Sequence, residues 1–135
     1  MSAQTLVMTG VVEQMLDHAR HGRWEALEEL LDENFEIVEP DSLPYGGTHH
    51  GVAGYVALMQ RIAELFELTL EPIGVSALDD HSVLVRMHAR FVARSTGRSV
   101  RLGVVELPEV VGGRVRRSEV FLSDTAALVA TLERA

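Results

Sequence analysis

The sequence predicts an α+β domain: a strongly curved, cone-shaped antiparallel sheet with three N-terminal helices packed on its concave face and a short C-terminal helix. Apolar residues recur at three-and-four spacing through the first half of the chain and alternate with period two from about residue 67 to residue 122. Turn signals at Ser95-Thr96-Gly97-Arg98 and Gly112-Gly113 divide the alternating half into an antiparallel meander. Helices first and strands afterwards is the order that segregates helices to one face of a sheet. With 135 residues the chain has room for one core, and residues 1–135 are expected to form a single domain.

Each element follows from local chemistry. Met8, Val11, Val12, Met15, Leu16 and Ala19 form the first helical stripe, which His21-Gly22 ends. Trp24, Leu27, Leu30 and Leu31 make a second, with Glu25, Glu28 and Glu29 outside and Asp32-Glu33-Asn34 as the expected stop. A short strand, Phe35 to Glu39, is broken by Pro40, and a turn-rich loop from Asp41 to Gly51 leads into a third helix with Val52, Val56, Met59, Ile62 and Phe66 aligned. Strands are expected near 67–78, 81–94, 98–110 and 114–122. Ser123 or Asp124 then caps a last helix carrying Ala127, Leu128 and Leu132. Helices that close part of a cone leave an apolar hollow suited to a small molecule.

Composition removes several function classes. Twenty acids oppose twelve bases, all arginine, for a net charge of −8, so a polyanion would be repelled and no nucleic-acid partner is expected. Without lysine there is no Schiff-base chemistry, and without cysteine no disulfide, thiolate metal site or thiol nucleophile. His49 and His50 with His81, His88 and Asp41 lack the i, i+4 spacing of a helical metal site, and no glycine run sits between strand and helix to cradle a phosphate, so neither metal nor cofactor is expected. The N-terminus has no basic leader pattern and no stretch approaches the roughly 20 apolar residues of a membrane span. A cytoplasmic protein without membrane contact is the expectation.

Glu39 is the residue of greatest interest. Alternation places it on the face of Phe35 and Ile37, where an ionised carboxylate is costly unless its pKa rises, and a proton-transfer group needs such tuning. Glu106 shares parity with Val100, Leu102 and Val104, and a two-residue Thr96-Gly97 turn would set it opposite Met87 inside the cone. Two acids in one hollow push their pKa values apart, leaving one as base and the other as acid. Tyr45, His49 and His50 lie on the loop over the expected pocket mouth, while Met15 and Trp24 are core or pocket wall.

His-Gly-Arg-Trp24 at the helix junction, Ile37-Val38-Glu39-Pro40, the Leu43-Pro44 to Gly51 loop, and Gly113-Arg114-Val115 through Ser123-Asp124-Thr125 together resemble the SnoaL-like and ketosteroid-isomerase-like branch of the nuclear transport factor two superfamily. The resemblance spans nearly the whole chain and implies a cystatin-like α+β barrel and a homodimer formed through the outer sheet face. It puts Glu39 at the position of the proton-shuttling base. Met15 stands where the isomerases carry an oxyanion-binding tyrosine, and Glu106 of Val104-Val105-Glu106 is the residue that could serve as second acid. Leu65-Phe66-Glu67-Leu68-Thr69-Leu70-Glu71-Pro72 is similar in spacing to the epoxide hydrolases and cyclases of polyether assembly, which implies Glu67 as an alternative partner acid. The resemblance also places Ser118, Val120 and Leu122 on the opposite pocket wall.

The function expected from these readings is cofactor-independent acid–base chemistry on an apolar, oxygenated small molecule: polyketide-type cyclisation, epoxide opening or isomerisation. Glu39 would act with Glu67 or Glu106, and Met15, Trp24, Tyr45, His49, Met87, Ser118 and Leu122 would line the substrate site. A non-catalytic binding or dimerisation module of the same fold is the alternative.

Overall fold

A computed structural model describes residues 2–133. The elements in chain order are α1 (Ala3–Arg20), α2 (Trp24–Leu30), β1 (Leu31–Glu39), β2 (Gly47–His50), α3 (Gly51–Leu65), β3 (Phe66–Ala77), β4 (Val83–Ala93), β5 (Ser99–Val111), β6 (Arg114–Leu122) and α4 (Thr125–Leu132). The six strands form one curved, unclosed sheet in the order β2-β1-β6-β5-β4-β3, with helices on one face, so the predicted α+β class holds.

Three expectations need correction. The sheet is mixed, because β1 runs parallel to β6 while every other neighbouring pair is antiparallel. A parallel pair needs a long crossover, and here everything from β2 to β5 intervenes, so no local pattern announces the pairing. The second helix stops at Leu30, and Asp32-Glu33-Asn34 lies inside β1 as an irregularity: the Asn34 N–H donates to the Asp32 carboxylate at 2.8 Å, and the register with β6 breaks between Leu31 and Glu36. The loop before α3 contains a four-residue strand, β2, antiparallel to β1 from Glu36↔His50 to Glu39↔Gly47.

The hairpins differ in detail. Gly112 and Gly113, with φ of 60° and 77°, make the two-residue turn between Val111 and Arg114 that alternation implied. The earlier turn is longer than expected: the Ala93 N–H donates to the Arg98 carbonyl, so four residues loop out, with Gly97 at φ 76°. That moves the β4–β5 register by two residues and sets Glu106 opposite Val85, with Met87 opposite Val104. A shift of two leaves every side chain on its predicted face.

The inner face is built from Phe35 and Ile37 of β1, Val83, Val85, Ala89 and Phe91 of β4, Leu102, Val104 and Val110 of β5, and Val115 of β6. Met8, Val12 and Met15 of α1 and Leu27 of α2 are buried against it. On α3 the buried residues are Tyr55, Leu58 and Ile62, while Val52 and Met59 of the expected stripe pack against the core partly buried, so the helix is rotated towards Tyr55 and Leu58. Asp124 caps α4 through the Ala127 N–H at 2.9 Å, and Leu128 carries the helix into the core. Asp124→Ala is expected to lower stability by about 1 kcal/mol, the usual worth of an N-cap side chain, read from urea denaturation midpoints.

Candidate functional site

Glu39 is the last residue of β1 and Glu106 lies in the middle of β5, and the sheet places them in one cross-strand row. Ile37 pairs with Ser118 and Val38 with Glu119, so one further step sets Glu39 beside Val120, which pairs on its other side with Glu106. Two strand spacings separate their backbones by about 9–10 Å. Both side chains belong to the inner face, where alternation with Phe35 and Ile37 on one strand and Leu102 and Val104 on the other requires them to point. Glu39 is 6% exposed and Glu106 5%, the two buried acids among the described residues.

Burial dominates their titration. Loss of water pushes Glu39 up to about 8, helped by the charge of Glu106. Glu106 rises to about 7, again by burial, with the Ser118 hydroxyl pulling it partly back. Ser118 itself is fully buried, and its hydroxyl lies near enough to favour the Glu106 carboxylate although no hydrogen bond of ordinary geometry joins them. Both carboxyls therefore keep protons well above the ordinary carboxylate range, and the last proton to leave belongs to the pair as a unit.

Two phenols complete the surroundings. Tyr45 is buried on the loop after Pro40, and Tyr55 is buried on α3 with its ring stacked on Phe35 at 5.6 Å. Burial, and then the charge of Glu39, holds the Tyr45 phenol protonated; Tyr55 is held the same way by burial, then Glu106, then Glu39. Both acids therefore act on Tyr55. The Tyr45 loop is tightly wound: Leu43 N–H donates to the Pro40 carbonyl at 3.1 Å and Gly46 N–H to Leu43 at 2.9 Å. A Cβ on Gly46 would meet the Pro40 carbonyl oxygen at 2.4 Å, so only glycine fits there. His49 donates from Nε2 to the Tyr45 carbonyl at 2.7 Å, which ties β2 to the loop.

The remaining sequence candidates fall elsewhere. Glu67 is exposed on the outer face, paired with Val92 in the β3–β4 ladder; Glu67, Thr69 and Glu71 form a solvated row, and Glu71 pairs with Arg101 at 2.9 Å. It is not part of the acid pair. Met15 is completely buried beneath the helices and Trp24 half-buried at the α1–α2 junction. Met87 and Leu122 are half-buried, each paired with Val104 one row beyond Glu106. They also help line a cleft of about 280 Å³ whose other residues include Arg86, His88, Val105 and Phe121. A second concavity, about 580 Å³, lies among Asp79, Asp80, His81, Ser82 and Glu109. Neither cleft is lined by Glu39 or Glu106, which are themselves almost wholly buried. Sequence reasoning missed Tyr55. The signal was a second apolar series on the same helix, Val52, Tyr55, Leu58, Ile62 and Leu65, as regular as the one chosen.

The buried acids have a measurable cost. Their folded pKa values lie above the ordinary 4.5, so the folded chain binds more protons than the unfolded one, and stability present below about pH 4.5 is lost as pH rises towards 8. Glu39→Gln is expected to flatten that decline and to exceed the parent in stability at pH 9, by up to a few kcal/mol. Urea midpoints at pH 5 and pH 9 read it out, and parallel declines in parent and variant would contradict it.

No helix among the described residues is long and apolar enough to cross a membrane. No curated protein sequence matches the chain. Among solved structures it is similar to an NTF2-like protein from Burkholderia xenovorans LB400, with 26% identity and a TM-score of 0.86 over 96% of this chain and 98% of that one. It is also similar in fold to a candidate SnoaL-like polyketide cyclase from Jannaschia sp. CCS1, with 16% identity and a TM-score of 0.82 over 100% and 98%. An LEH-like epoxide hydrolase of M. tuberculosis shares 16% identity at a TM-score of 0.71 over 95% and 90%. Residues 12–118 match the family model of the SnoaL-like domain, and with that match running over most of a chain of this fold, the chain belongs to the SnoaL-like family.

Proposed function

We propose that this chain is a cofactor-independent enzyme in which Glu39 and Glu106 perform general acid–base chemistry on an apolar, oxygenated small molecule, by cyclisation, epoxide opening or isomerisation. The observation that carries this reading is the pair itself: two carboxyls on one inner row of the sheet, both buried, both keeping protons well above the ordinary carboxylate range. A structural core has no use for such a pair, since burying an acid costs several kcal/mol that apolar residues would not. The ionised member removes a proton from an activated C–H bond or from water. The protonated member donates to the oxygen on which charge develops. For an epoxide, that donation accompanies C–O cleavage while the activated water forms the new C–O bond. Tyr45 and Tyr55, both protonated, are additional donors at the rim of the pair.

The fold neighbours support a metabolite-processing role at the level of class: one is a candidate polyketide cyclase and another an epoxide hydrolase. Met15, Trp24, His49, Met87, Ser118 and Leu122 remain the proposed surroundings of the substrate, and a homodimer in the cytoplasm remains the proposed setting. One observation favours a second reading. The acids are almost wholly buried, and neither cleft is lined by them, as suits a module that binds a ligand without turning it over.

Turnover of a panel of small epoxides and activated ketones separates the two. For an enzyme, kcat/KM follows a bell in pH with its top between about 7 and 8, because only the singly protonated pair holds both an acid and a base. Glu39→Gln and Glu106→Gln each lower the rate by about 10²-fold or more, while Glu67→Gln leaves it within about twofold. Retained turnover in both buried variants would end the catalytic reading.

A further inference from the structure

The Ser118 hydroxyl is the one buried polar side-chain atom without a hydrogen-bond partner among the described residues. Its position gives it little choice of neighbours. Ser118 sits on β6, the strand between the two acids, one row behind them: Ile37 flanks it on β1 and Pro108 on β5. Both are apolar. The diagonal neighbours on the far side, Val110 on β5 and Val115 on β6 itself, are apolar as well. On the near side the diagonals are Glu39 on β1 and Glu106 on β5, within reach of a rotating hydroxyl once the long glutamate side chains fold back. A completely enclosed hydroxyl whose polar neighbours within the sheet are these two carboxyl groups is placed to donate to one of them.

The two acids are not equivalent towards it. Glu39 ends its strand against the Tyr45 loop, with Gly47 as its partner on β2. Glu106 lies mid-strand between Val85 and Val120, without a polar side chain directly opposite on either neighbouring strand. We propose that Ser118 is a positioning residue: its hydroxyl donates to Glu106, which makes Glu106 the ionised partner of the pair and leaves Glu39 holding the proton. This rests on the acid–base reading above for its consequence, and it reverses the roles that the family resemblance implied, in which the residue before Pro40 is the base. The direction of its effect agrees, since the hydroxyl holds Glu106 lower than burial alone would. The charged and titratable groups packed around the pair are few: Tyr45 from the loop, Tyr55 from α3, and His49 on the inner side of β2. None of these is seated between the strands of the two acids as Ser118 is.

Because the acids titrate as a unit, the test isolates each in turn. Glutamate carboxyls are followed by ¹³C NMR in Glu39→Gln, where Glu106 remains, and in Glu39→Gln with Ser118→Ala. The same is done for Glu39 in Glu106→Gln with and without Ser118→Ala. The expected result is that loss of the hydroxyl raises the Glu106 midpoint by about one to two pH units, the worth of a hydrogen bond to a charged group, and moves Glu39 much less. Ser118→Thr, which keeps the hydroxyl, returns Glu106 to its parental midpoint. If the alanine variant does not fold, Ser118→Cys, similar in shape and a weak donor, gives the same comparison. A Glu106 midpoint unmoved by loss of the hydroxyl, or a shift confined to Glu39, would overturn the assignment. These titrations need no substrate, so they judge Ser118 even if no turnover is found, and loss of turnover in the Glu variants judges the acid–base reading even if Ser118 proves silent.

Discussion

The local constraint on which the site depends is the exclusion of water from two carboxyl groups on the inner face of a curved sheet. Curvature brings side chains two strands apart towards each other, and the helices above deny them solvent. In that setting two full charges cannot stand side by side, so a proton must be retained. Other features of the site accompany it: phenols that stay protonated, a buried serine hydroxyl without a hydrogen-bond partner one row behind the acids, and a tightly wound loop that carries Tyr45. The pairing that makes it possible is the parallel β1–β6 contact, because without it Glu39 would end on an edge strand far from β5.

How much of this was legible in the sequence depended on the range of the interaction. Glu39 was legible because burial on a strand is a local, two-residue rhythm, and Phe35 and Ile37 declare it. Glu106 was legible for the same reason, and survived a hairpin two residues longer than expected because an even shift preserves the face. Glu67 was misplaced when spacing in the resemblance outweighed its own parity with Thr69 and Glu71, which pointed to water. Tyr55 was hidden by a helix with two plausible apolar stripes, and only the packing of α3 on Phe35 decides between them. The β1–β6 pairing and β2 were not legible at all, since both arise from contacts that alternation within a strand does not encode.

The site also sets a balance between stability and chemistry. Domains of this size are stable by only about 5–15 kcal/mol, so a penalty of a few kcal/mol from two buried acids is a substantial share. The chain meets it with an apolar inner face and with ion pairs on the outer one, where Arg117 bridges Glu36 and Glu119 and Arg101 meets Glu71. Exposed pairs of that kind contribute little each, so the core carries most of the compensation.

The same burial bears on which molecule the pair would accept. A neutral ligand with an oxygen acceptor can take the shared proton's hydrogen bond from one acid and, with a donor, satisfy the other, leaving the count of charges unchanged. An anion would add a second negative charge to a water-free space that already holds one, in a chain of net charge −8, and would have to bring another proton with it. Under the proposed acid–base reading, the proton inventory of the pair would act as a filter before any shape is considered, favouring uncharged, oxygen-bearing molecules over carboxylates and phosphates.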